Sequence, residues 1–107
     1  GSTTVQADLT QMQTDMIADI TTMTSSTPFI AGHIAGSSTP ANVATVNAAI
    51  DSFISTVTNG AIVETSDLPL ADTYHFTAAG YRTLGARYAT ALLLQSQVSQ
   101  VVKVFQV

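Results

Sequence analysis

At 107 residues the chain makes one ordinary domain at most, and 46% hydrophobic residues exclude a disordered one. Only 9% of the residues are charged, against roughly 25% in an average soluble domain. A net charge of −4, with Arg82, Arg87 and Lys103 as its whole basic complement, excludes the clustered basic face that nucleic acid or an anionic membrane requires, and the lack of cysteine excludes a disulfide framework and thiolate metal sites.

The first periodic segment starts at Val5. Val5, Leu9, Met12, Met16, Ile20 and Met23 recur at spacings of four and three, which predicts an amphipathic helix with Asp8, Gln11, Asp15 and Asp19 off the apolar face. "SSTP" ends it, because a proline disfavours helical geometry in the residue before it. "PFIAGHIAG" then reads as a short buried strand punctuated by Gly32 and Gly36. The second "SSTP", Ser37–Pro40, opens a helix with a hydroxyl cap and an early proline. Val43, Val46, Ile50, Phe53 and Val57 continue that helix, and Asn59-Gly60 is a stop signal.

"AIVET" predicts a second strand and "SDLPLADTYHF" a loop. Thr77 can cap a last helix carrying Tyr81, Leu84, Tyr88 and Leu92 on one stripe. The tail "VSQVVKVFQV" can extend that helix through Val98, Val101, Val102 and Phe105, or form a strand; its β-branched richness favours the strand. The longest apolar runs, such as "ALLL", fall far short of the roughly 20 residues that cross a bilayer. A polar surface of Ser, Thr, Gln and Asn is common in secreted and phage-surface proteins, so an extracellular location is expected.

Helix, strand, helix, strand, helix is the order of an α/β fold with right-handed crossovers and a parallel sheet. Two parallel strands make a poor domain, since such sheets are buried on both faces and flanked by further strands. The pattern is that of half a doubly wound domain.

In open α/β sheets, ligands bind beyond the carboxyl ends of the strands. The loop Ser66–Phe76 leaves that end of the second strand and carries Asp72 and His75. A carboxylate three residues before a histidine in a turn can accept a hydrogen bond from the ring, fix its tautomer and stabilise the imidazolium of catalysis, leaving the other ring nitrogen for a serine proton. An acid and a histidine so spaced can also do no more than cap a turn. Tyr74, Phe76, Tyr81 and Tyr88 are expected in the core, and His33, at the end of the first strand, as a buried or rim residue near the cleft. Two histidines with no cysteine and no acidic cluster predict neither a metal site nor a cofactor.

The longer block "DTYHFTAAGYRTLGARYA" is more specific than Asp-x-x-His alone. It resembles the closing block of the SGNH (GDSL-like) hydrolase superfamily, most closely the sialate O-acetylesterase and acetylxylan-esterase-like carbohydrate esterases. "PFIAGHI" is similar to their penultimate strand and "VETSDLPLAD" to the run from last strand into catalytic loop, so the likeness spans roughly Val5 to Leu94. It implies the C-terminal half of a three-layer α/β/α, flavodoxin-like domain: residues 1–107 as one partial domain, with 95–107 an extra tail. It further implies that Asp72 orients His75, that His75 is general base and then general acid, and that Gly80 and Gly85 let the last helix pack closely on the sheet. Arg82 and Arg87 are expected as surface or ion-pair residues.

The serine of that superfamily follows its first strand in a Gly-Asp-Ser motif, and its oxyanion hole adds a glycine and an asparagine. None of these motifs occurs here, nor does a Gly-x-Ser-x-Gly elbow. Ser37 follows a strand but comes too late in the superfamily's order, and Asn42 and Asn47 lie on a predicted helix. The expectation is therefore a chain that carries the acid–base half of a carbohydrate O-acetylesterase. Its partner is an N-terminal half, on a separate or cleaved chain, or a second copy in a homo-oligomer, and its substrate an O-acylated carbohydrate. The alternative is a non-catalytic SGNH-like module that binds carbohydrate or serves in a surface assembly.

Overall fold

The computed structural model describes residues 2–105, with side chains from Thr3 to Gln97. The elements run α1 (Ser2–Asp19), β1 (Phe29–Gly32), α2 (Pro40–Ile54), β2 (Gly60–Val63) and α3 (Ala78–Phe105). β1 and β2 pair in parallel, Phe29 opposite Gly60 and Gly32 opposite Val63. No helix among the described residues is long and apolar enough to cross a membrane.

Strand residues alternate between faces, and each face of this small sheet has its own helix. Phe29, Ala31 and Ile62 point to α2, where they meet Ile50, Phe53, Ile54 and Val57. Phe53 is the largest fully buried side chain, and its ring meets Phe29 edge to face at a centroid distance of 5.3 Å. α3 covers the opposite face, with Tyr88 lying over Gly32. α1 packs on α2 and sends Leu9 into the same core. The result is helix–sheet–helix layering, the arrangement expected of part of a flavodoxin-like domain.

Local chemistry accounts for the boundaries. Pro40 occupies the first turn of α2, where its missing N–H costs nothing. The cap position is Thr39, whose side chain makes no capping hydrogen bond. The apolar pattern runs to Val57, but α2 ends at Ile54 because the ladder tightens: Thr56 and Val57 donate to the carbonyls of Phe53 and Ile54, three residues back. Val57 is buried all the same. Asn59 ties this corner to β1, its Nδ2 donating to the Ser26 carbonyl at 2.5 Å and its own carbonyl accepting from Phe29 N at 3.0 Å. Gly60 is required here, since a Cβ would come 2.9 Å from the Ile54 carbonyl oxygen.

Other expectations need correction. α1 ends at Asp19, before Ile20, Met23 and the "SSTP" expected to close it, and β2 ends at Val63, short of the expected Glu64 and Thr65. The first strand ends at Gly32, short of "HIAG": His33 N makes the last ladder bond, to Val63 O, and Asn47 then captures Ile34, accepting from its N–H at 2.8 Å and donating to its carbonyl at 3.0 Å. The tail is helical through Phe105, with Gln106 and Val107 outside the described residues. Gly85 has open space around it and packs against nothing, whereas Gly80 does sit close, a Cβ there lying 3.1 Å from Phe76 Cβ. Tyr74 and Tyr81 are not core residues, being 55% and 48% exposed.

The stripe on α3 fails at its ends for a geometric reason. A 28-residue helix extends about 42 Å at 1.5 Å per residue, while four-residue strands cover only about 13 Å. Tyr88 meets the sheet and Leu84 is partly buried, while Tyr81, whose ring packs edge-on against Phe76 of the loop, and Leu92 are about half exposed.

Candidate active site

Beyond Val63 the chain is pinned step by step. Thr65 is buried and its hydroxyl donates to the His33 carbonyl at 3.1 Å. Leu68 folds back into the core, its N–H on the Thr65 carbonyl. Arg87 reaches across from α3: Nη1 donates to Asp67 Oδ1 at 2.8 Å and to the Glu64 carbonyl at 2.9 Å, and Nη2 donates to Asp67 Oδ2 at 2.6 Å. The guanidinium hydrogen bonds are the main reason the Asp67 carboxyl is held down at about 2.

The next residues form a small hairpin. Leu70 and Phe76 pair as an antiparallel bridge, Ala71 N donates to His75 O at 2.7 Å, and Thr77 N donates to Pro69 O at 2.9 Å. Thr77 then caps α3, its Oγ1 accepting from Gly80 N at 3.0 Å. The hairpin tip carries Asp72 and His75.

Asp72 Oδ1 accepts from the backbone N–H of Tyr74 at 2.8 Å and of His75 at 2.7 Å. The same carboxylate holds His75 Nδ1, at 2.9 Å from Oδ1 and 2.8 Å from Oδ2. The Tyr74 amide, then the His75 amide, then the ring lower the Asp72 carboxyl to about 2. Asp72 is thus a fixed anion near neutral pH, and Nδ1 is the protonated nitrogen that faces it. Nε2 has no hydrogen-bond partner among the described residues, and the His75 side chain is 68% exposed.

The segment after β1 docks on this tip. Ser37 N donates to the Thr73 carbonyl at 2.9 Å, and Ser38 Oγ and Tyr74 Oη lie 2.8 Å apart. Ser37 therefore touches the hairpin through its backbone, and its hydroxyl makes no bond to His75. A cleft of about 240 Å³ opens beside the tip, between the segments that follow β1 and β2. His33, Asn47, Thr65, Ser66 and Leu70 line it, while Asp72 and His75 do not.

His33 is the second charged feature. Its Nε2 meets Asp51 Oδ1 at 2.7 Å and its Nδ1 meets Glu64 Oε2 at 3.1 Å, with 12% of the side chain exposed. Burial disfavours the cation, but the hydrogen bond and charge of Asp51, joined by Glu64, outweigh it, and the pKa is raised. Carboxylates on both ring nitrogens select the doubly protonated ring. His33 is thus largely buried, as expected, and it also lines the cleft. Its two acids and the Asp67 partner of Arg87 come from distant segments, and no local sequence signal marks them.

A parallel α/β sheet whose last strand leads into an Asp–His turn and a closing helix is the architecture of part of an SGNH hydrolase. The family model described as carbohydrate esterase, sialic acid-specific acetylesterase, matches residues 2–94, and the chain belongs to that family. No curated protein and no solved structure matched the chain.

Proposed function

We propose that this chain supplies the acid–base pair of a serine esterase that removes O-acetyl groups from carbohydrate, with His75 as general base and acid and Asp72 as its orienting carboxylate. One observation carries the reading: Asp72 holds His75 by Nδ1 and leaves Nε2 open on an exposed hairpin tip.

The nucleophilic serine attacks the acetyl carbonyl as Nε2 takes its proton. The tetrahedral intermediate collapses, the sugar hydroxyl leaves with the proton from Nε2, and the acetyl group stays on the serine. Water then attacks, giving its proton to Nε2, and acetate departs as the serine is reprotonated. Asp72 stays ionised throughout and stabilises the imidazolium of both half-reactions.

The serine and oxyanion hole come, in this reading, from an N-terminal half of the same hydrolase. Two features favour such a partner. Each of the two strands pairs on one side only among the described residues, and open edges seek pairing. Met12 on α1 and Ile20 just past its end are 41% and 43% exposed, as apolar side chains awaiting cover would be.

Native and denaturing mass measurement of a purified sample, with p-nitrophenyl acetate turnover and a serine-reactive phosphonate, tests the proposal. A second polypeptide or segment that binds the chain and carries the labelled serine supports it. A chain that stays inactive with every natural segment of its gene present leaves the non-catalytic module instead.

A further inference from the structure

Tyr74 stands beside the acid–base pair in a fixed pose that core packing does not explain. Its N–H is one of the two amides on Asp72 Oδ1, so its backbone is locked to the pair. Its ring lies against Gly36, where a Cβ would come 3.2 Å from Cδ1 and 3.3 Å from Cε1, and its hydroxyl is anchored on Ser38 Oγ at 2.8 Å. The ring is held along an edge and at its tip, yet the residue remains 55% exposed. An isolated exposed aromatic needs no explanation; one oriented from both ends, next in sequence to His75, is a preorganised surface.

We infer that the Tyr74 ring is the platform on which the sugar of the ester substrate rests. The inference builds on the esterase reading above and adds how the alcohol half of the ester is chosen. An aromatic face is the negative side of the ring quadrupole, and the C–H face of a pyranose is its natural complement. A tyrosine with its two side-chain torsions already fixed pays little entropy to offer that area. Ser38 sets the ring angle, and the glycine at position 36 makes room for it.

The experiment compares an O-acetylated sialic acid with ethyl acetate, which shares the acetyl group and has no ring to stack. It uses the full-length protein carrying this chain, as wild type, Tyr74→Ala and Tyr74→Phe. The ratio of kcat/KM for the sugar ester over that for ethyl acetate should fall roughly tenfold in Tyr74→Ala, the order expected for one lost ring contact. Tyr74→Phe keeps the face and should hold most of the ratio. An unchanged ratio in Tyr74→Ala, whether both rates fall together or neither falls, overturns the platform and leaves the esterase reading standing. A wild-type protein that hydrolyses neither ester sinks the esterase reading. The platform is then decided by titration with free sialic acid, followed by backbone amide NMR of the hairpin: shifts in wild type that disappear in Tyr74→Ala support it, and none in wild type, or the same shifts in Tyr74→Ala, overturn it.

Discussion

Gly32 and Tyr88 share one space. A Cβ on Gly32 would lie inside the Tyr88 hydroxyl and 3.0 Å from its Cζ, so the tip of the Tyr88 ring fills the space a side chain at position 32 would need. Gly32→Ala should therefore cost about 1–3 kcal/mol, the usual range for an overpacked contact. Adding Tyr88→Leu should recover most of that loss in a double-mutant cycle of urea midpoints. Strictly additive effects would show that the two residues do not compete.

Phe53 is the anchor of the α2 face, buried to 1% and stacked edge-on with Phe29. Phe53→Ala should destabilise by about 3–5 kcal/mol, which is enough to unfold a domain of marginal stability. Phe53→Leu should lose less, and thermal melts of the two variants give the comparison.

His33 makes stability depend on pH with a definite sign. Its pKa is raised in the folded state above the ordinary 6.5, so its contribution is fully present below about pH 6.5 and is lost as pH rises through the folded value. The gap in urea midpoint between wild type and His33→Gln should be wide at pH 5.5 and narrow at pH 9. A gap that widens with pH would reverse the assignment of the cation.

Arg87 acts on the loop through a planar fork, two bonds to Asp67 and one to the Glu64 carbonyl. Arg87→Lys keeps the charge and loses the fork. The amides of Leu68, Ala71 and Thr77, bonded within the loop, should exchange faster in this variant, while those of Val43 and Ser55 at the ends of α2 keep their rates. Uniform acceleration would mean global loosening instead.

On the proposed mechanism, His75→Ala should abolish turnover by the assembled site. Asp72→Asn should cost on the order of 10⁴ in kcat, by analogy with the serine-protease triad. Unchanged turnover in both would remove the pair from the chemistry.

What was legible in the sequence was local. The spacing of Val43, Val46, Ile50 and Phe53 gives α2, Thr77 gives the cap of α3, and Asp72 with His75 gives a turn, because each step of these signals joins residues three or four apart in the chain. What was not legible depends on distance. β1 stops where Asn47, thirteen residues from Ile34, takes over its backbone. The strand-like tail is helical because α3, once nucleated at Thr77, propagates through β-branched residues at small cost per residue. Tyr74 looked like a core residue because type and spacing cannot reveal that Ser38, far along the chain, holds it outward.

Every hydrogen bond that orients Asp72 on His75 closes between Pro69 and Thr77. So short a segment closes at little entropic cost, within the roughly microsecond time of a hairpin. The geometry of the pair is then written within one short run of chain, a cassette carried whole in a few codons. An incoming serine would find its base already aimed, and the same few residues, moved to another scaffold, would bring their geometry with them.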